Sequence, residues 1–306
     1  MSLVLSFILF FLWTLSFPIG KEMLNFSSPM FLTGARMLLS GSMLISYLLF
    51  RKKIPTVSKK GWASLLILAL FSIYLTNILE FWSLSHLSAA KTCFIYGLSP
   101  FMTALLSYIH FQEKMTKLKW IGLTLGCFGF IPVIMQKTGT EGLLQAFGWF
   151  TWPEIAMFGA AFFSVYGWII LRLIVKEDST PILFANGSSM LIGGTLALFS
   201  SILFEPWIPS PIASGSLIPL GSSIIFLSLL SNIFCYNLYG YLLKKFTATF
   251  LSLIGLLSPI FTSFHSYVLL GEKPSSAIFI STLLILVGLA IVYFEEKRQG
   301  YLAKSI

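Results

Sequence analysis

Charge is what this chain has least of. Charged residues make up 10% of its 306 positions while hydrophobic ones reach 57%, and a soluble domain would carry roughly 25% charge. Cysteine is equally sparse. Cys93, Cys127 and Cys235 fall inside apolar stretches without CxxC or CxxH spacing, so they read as small apolar side chains rather than as a disulfide or metal site. His110 and His265 have no Asp, Glu or Cys at ligand spacing and are expected to be structural, which leaves no metal. No serine sits in a nucleophile motif, no glycine loop resembles a phosphate cradle, and no carboxylate pair is set for acid and base work. Neither an enzyme nor a cofactor is expected. The first apolar run, Leu3 to Phe17, has no basic residue before it and no small-residue cleavage pattern after it, and is read as a retained span rather than a signal peptide.

What is present is a series of apolar runs of about 20 residues, the length that crosses ~30 Å of hydrocarbon as a helix. Ten such runs are expected: 2–20, 29–50, 62–82, 87–111, 118–136, 153–173, 181–203, 217–242, 247–269 and 276–294. Backbone groups inside lipid must pair within their own segment, so all ten are predicted helices and the fold class is an all-α polytopic membrane protein. The net charge of +9 has a topological explanation. With the N-terminus inside, the inner loops and tail hold 15 Lys and Arg and the outer loops 3. That bias predicts cytoplasmic N- and C-termini and needs no nucleic-acid partner.

Residues 88–133 and 247–292 repeat one another at a shift of 159 without a gap. Leu98-Ser99-Pro100 falls on Leu257-Ser258-Pro259, Thr103 on Thr262, Ser107-Tyr108 on Ser266-Tyr267, Glu113-Lys114 on Glu272-Lys273, and Gly129 on Gly288. The copies begin in the fourth and ninth spans, five helices apart, and an odd number reverses direction through the bilayer. Two inverted five-helix repeats are therefore predicted, residues 1–142 and 143–306. Such halves can expose one midplane site to either side in turn, the architecture of an alternating-access carrier.

The pattern Ser88-Ala89-Ala90, Leu98-Ser99-Pro100, Glu113-Lys114 and the Gly-rich span to Gly129 resembles the EamA repeat of the drug/metabolite transporter (DMT) superfamily, and the second copy matches as well. The stretch Trp13 to Lys21, Gly34-Ala35-Arg36 and the ten-span count fit the same family. The resemblance implies a secondary carrier in the inner membrane with a central cavity, moving a small metabolite such as an amino acid, nucleoside or amine. With 16 Lys against 4 Arg and abundant Phe and Ile, the chain is similar to carriers of AT-rich, host-associated bacteria, some of which take up S-adenosylmethionine.

A charged side chain at mid-helix costs about 2.5–3.5 kcal/mol on insertion scales, so each asks for a partner or a task. Arg36, Glu80, His86 and Lys91 all approach the outer half of the bilayer. Either Glu80 and Lys91 neutralise each other, or Glu80 faces a substrate amine while Lys91 or Arg36 faces its carboxylate; Glu80 as a proton-coupling group is a third reading. Helical spacing places Asn77, Glu80 and Phe81 on one face with Tyr74 a turn further in, and Asn232, Tyr236 and Tyr239 on the matching face of the eighth span. Trp13, Phe17, Phe94, Tyr166 and Trp168 complete the aromatic candidates, whose rings can stack on a base or embrace a cation. Pro100 and Pro259 each remove a hydrogen bond inside a helix and are predicted kinks or hinges. The favoured substrate is zwitterionic, with S-adenosylmethionine the specific choice. The alternatives are an efflux pump for apolar cations and a non-transporting membrane or lipid-handling subunit. Coupling to protons or to exchange, and the oligomeric state, stay open.

Overall fold

The structure is a computed structural model that describes residues 2–111, 116–129, 131–135, 140–147, 150–176, 180–207, 210–246, 251, 254–255, 257–273 and 276–300. Among these the chain is almost entirely helical, apart from a two-stranded hairpin of Gln145–Phe147 and Phe150–Thr151 and an isolated bridge between Ser27 and Ile212. The helices are α1 (Ser2–Trp13), α2 (Ser16–Met23), α3 (Pro29–Phe50), α4 (Lys59–Leu68), α5 (Thr76–His86), α6 (Ala89–Tyr96), α7 (Ser99–Phe111), α8 (Lys117–Gly129), α9 (Ile131–Met135), α10 (Trp152–Lys176), α11 (Ile182–Phe204), α12 (Leu217–Leu227), α13 (Tyr236–Leu242), α14 (Ser258–Leu270) and α15 (Ser276–Gln299). Seven continuous helical stretches among the described residues are long and apolar enough to cross a membrane: Val4–Met23, Pro29–Phe50, Lys59–His86, Trp152–Val175, Ile182–Phe204, Leu217–Leu242 and Ser276–Gln299. The protein is a multi-pass membrane protein.

Several of the expected spans differ from single regular helices. The run 87–111 is split into α6 and α7 by a turn at Gly97 and Leu98, so Pro100 is the second residue of α7 rather than an interruption inside a helix. Pro259 likewise occupies the first turn of α14. A proline there removes an amide that has no intrahelical partner in any case, so neither breaks a helical ladder. In the run 247–269, positions 247–250, including Phe250, lie outside the described residues, as do Glu113 and Lys114.

The stretches between α4 and α5 and between α12 and α13 are π-helical: Ala69–Leu75 and Ser228–Cys235. These wide turns stand 159 positions apart, as do α7 and α14 and the starts of α8 and α15. The repetition seen in sequence thus extends to a rare backbone feature that no residue type announces.

Short polar devices hold the helix ends. Ser58 Oγ accepts from Gly61 N at 3.0 Å and Ser88 Oγ from Lys91 N at 3.2 Å, satisfying first-turn amides. Glu205, which follows α11, accepts from Met30 N (2.7 Å) and Phe31 N (2.9 Å) at the start of α3. Lys21 Nζ donates to the carbonyls of Leu84 and Leu87, both at 2.7 Å, closing the C-terminal end of α5. Packing between α3 and α11 and between α8 and α15 uses small residues. A Cβ on Gly41 would lie 2.9 Å from Gly187 O, and one on Gly122 would lie 2.5 Å from Gly288 O.

Candidate functional site

The helix irregularities converge on one cavity. The turn between α1 and α2, the start of α5 just after the first π segment, the second π segment, the α6–α7 break and the middle of α10 all contribute to its wall, enclosing about 960 Å³ of space between atoms including the mouth. A regular helix presents a smooth, internally bonded cylinder, whereas a break or wide turn frees backbone groups and leaves room for a solute.

One wall is aromatic. Trp168 and Tyr239 have ring centroids 4.3 Å apart, Trp168 and Tyr236 5.1 Å, Trp13 and Tyr236 5.3 Å, and Trp13 and Trp168 5.8 Å in an edge-to-face contact. At these separations no ring fits between the four, so they form a preassembled panel on which a planar or cationic group can lie. Trp168 Nε1 donates to Ser164 Oγ at 3.1 Å, and Ser164 also meets the Tyr96 hydroxyl.

Next to this panel, through Tyr236 and Asn77, lies an ionic group. Arg36 is 3% exposed; its Nη2 donates to Asn77 Oδ1 at 2.9 Å, its guanidinium lies 4.6 Å from the Phe81 ring centroid, and its Nε has no partner. Asn77 in turn donates to Ile73 O at 2.8 Å and Ser72 O at 3.3 Å, within the wide turn of the first π segment. Asn232 mirrors it from the second π segment, donating to Ser40 Oγ at 3.0 Å, while its Oδ1 is unpartnered. Glu80 lines the same cavity and makes no hydrogen bond or ion pair with a described residue.

Of the residues singled out from sequence, Trp13, Phe17, Arg36, Asn77, Glu80, Trp168, Asn232, Tyr236 and Tyr239 line the cavity. Four others do not. Tyr74 sits within the π segment, where the 3.6-residue period fails, and its hydroxyl meets Ser200 Oγ at 2.6 Å. Lys91 is fully buried against Glu154, with Nζ 2.7 Å from Oε1, so it pairs with α10 and not with Glu80. Phe94 packs with Ala90, Leu98, Phe101 and Ile278, and the Tyr166 ring lies 5.0 Å from Phe71. His86 meets Thr140 Oγ1 at 3.1 Å, away from the cavity. His265 Nδ1 lies 3.2 Å from Thr14 Oγ1. Sequence reasoning missed the small polar lining, Ser16, Ser99, Thr103, Ser231 and Ser258 among it. Ser99 and Ser258 had a signal, since they are the serines of the two Leu-Ser-Pro copies.

The model of the EamA-like transporter family matches the chain twice, over residues 1–135 and 151–294. The chain belongs to the EamA-like transporter family. This EamA-like protein is therefore a transporter and not an enzyme. It is 36% identical to an S-adenosylmethionine/S-adenosylhomocysteine transporter of Chlamydia muridarum over all of this chain and 95% of that protein. A protein of the same description from Chlamydia trachomatis serovar L2 is 35% identical over all of this chain and 93% of its own length. A crystal structure that is 18% identical aligns at a TM-score of 0.68, covering 96% of this chain and 98% of that one, and speaks to the fold alone.

Proposed function

We propose that this EamA-like transporter carries S-adenosylmethionine and S-adenosylhomocysteine across a bacterial inner membrane by alternating access between two inverted five-helix halves, residues 1–142 and 143–306, with both termini in the cytoplasm. The observation that carries the reading is one carboxylate and one guanidinium, Glu80 and Arg36, sharing a cavity with an aromatic panel without forming a direct ion pair. The ligands have matching parts: an adenine to stack on Trp168 and Tyr239, ribose hydroxyls for serine and threonine side chains, an ammonium for Glu80 and a carboxylate for Arg36. The full-length likeness to the chlamydial transporters supports the same class, and the paired π segments support two equivalent halves.

A pump for apolar cations is the second reading, favoured by the seclusion of Lys91 from the cavity. Arg36 weighs against it, because a buried guanidinium facing the cavity repels a cation that lacks a carboxylate. Purified protein in liposomes separates the two. Uptake of labelled S-adenosylmethionine, competed by S-adenosylhomocysteine and not by an apolar quaternary amine, is the expected result; competition by the amine alone would overturn the assignment.

A further inference from the structure

Where α3 meets the second π segment, two buried side-chain atoms of cavity-lining residues have no partner among the described residues: Arg36 Nε and Asn232 Oδ1. They are of opposite kind, one donor and one acceptor. Asn232 is fully buried, and its oxygen cannot find a partner by turning. Its Nδ2 donates to Ser40 Oγ at 3.0 Å and lies 3.5 Å from Arg36 O. Ser40 gives its own proton to Arg36 O at 2.7 Å, so its oxygen is left to accept. Ser228 Oγ, from the same π segment, donates to that carbonyl at 3.3 Å. A flipped carboxamide would set Oδ1 against Arg36 O with no proton between them, which fixes the nitrogen toward α3 and the oxygen away from it. Asn77, by contrast, is engaged at both ends: Oδ1 receives Arg36 Nη2, and its amide goes to the carbonyls of Ile73 and Ser72.

An acceptor buried in an apolar interior and left empty costs free energy that a donor from the ligand recovers. Taking the two ligands proposed above, on which this step rests, we infer that Asn232 Oδ1 accepts a hydrogen bond from bound S-adenosylmethionine or S-adenosylhomocysteine and so determines which analogues the transporter refuses. The serine and threonine hydroxyls around the cavity can turn between donating and accepting, whereas Asn232, with its nitrogen held on α3, offers an acceptor alone. A ligand that brings a donor completes the chain that runs from Asn232 through Ser40 to the Arg36 carbonyl. One that lacks it strands the oxygen, and a site built around a hydrogen bond rejects such an analogue far more strongly than an apolar pocket rejects a missing methylene. Three groups common to both ligands can supply the donor: the ammonium, the exocyclic amine of adenine and a ribose hydroxyl. Each meets a lone carboxamide oxygen in the same way, and each can be removed separately.

The test measures binding of labelled S-adenosylhomocysteine to the purified full-length protein in competition with three analogues. One lacks the α-amino group, one carries unsubstituted purine in place of adenine, and one has a dideoxyribose. The parent is expected to prefer S-adenosylhomocysteine by about 10- to 100-fold over the analogue without the donor that Asn232 meets. In Asn232→Leu, or in Asn232→Ala where leucine prevents recovery of a monodisperse carrier, that preference should fall to within about threefold while the other two stay as in the parent. Ser40→Ala cuts the same tie to α3 but keeps the oxygen, and should leave all three preferences in place; a purely structural Asn232 would make the two variants alike. Three preferences unchanged in the Asn232 variants would overturn the assignment and leave the substrates standing. Failure of the folded parent to bind S-adenosylhomocysteine at all would overturn the substrates and this inference together.

Discussion

Arg36 and Glu80 stand out in the sequence because an isolated charge in an apolar run is costly, and the folded chain leaves both short of partners. Asn77 does two jobs for Arg36: its Oδ1 receives Nη2 at 2.9 Å while its amide is anchored on Ile73 O. A hydrogen bond to a charged group is worth about 1.5–3 kcal/mol, so Asn77→Ala is expected to raise the KM for S-adenosylmethionine roughly 10- to 100-fold while membrane expression persists. Glu80→Gln removes the only carboxylate among the described lining residues and is expected to lower uptake at least about tenfold, with similar direct effect on any ammonium-bearing ligand. Tyr74→Phe is the contrasting case. Its hydroxyl bonds Ser200 outside the cavity, and labelled uptake should stay within about twofold of the parent. Tyr74 was misplaced from sequence because a period of 3.6 was assumed across a turn that does not keep it.

At the level of elements, the buried Lys91–Glu154 pair ties α6 to the first turn of α10. Removing one partner of such a pair strands the other charge, at about 3–5 kcal/mol. Lys91→Met is therefore expected to lower the detergent melting temperature by several degrees, and Lys91→Met combined with Glu154→Gln to recover most of the loss. A transport defect in Lys91→Met without any loss of stability would instead return Lys91 to the substrate path. The α3–α11 seam gives a second test. Gly41→Leu forces a side chain into space already held by Gly187 O and Leu191, and assembly of the protein should fail, read as loss of the monodisperse peak after solubilisation. Lys91's partner was illegible in the sequence, where Glu80 is nearer along the chain; only the orientation of α6 against α10 decides between them.

For the whole molecule, the proposed inverted arrangement requires that the loop after α3 and the loop after α11 lie on opposite sides of the membrane. Both offer exposed positions, Lys52 and Ser210. Lys52→Cys is expected to react with an impermeant maleimide only in inside-out vesicles and Ser210→Cys only in intact cells. Labelling of both from one side would refute the inverted arrangement. The described native cysteines, Cys93 and Cys235, are buried, which keeps their background low.

The sequence by itself determined the solvent this protein lives in, the helical class and the duplicated plan, because the need to pair every backbone group within lipid acts on composition and run length alone. It also exposed the lone charges, since their cost does not depend on what surrounds them. Tertiary structure alone decided which polar groups meet. Partners such as Arg36 and Asn232, or Lys91 and Glu154, come from segments far apart in the chain, and the two wide turns rotate residues off the faces that regular helices would give them. A cavity arises where several helices break together, and that coincidence exists only after they have packed.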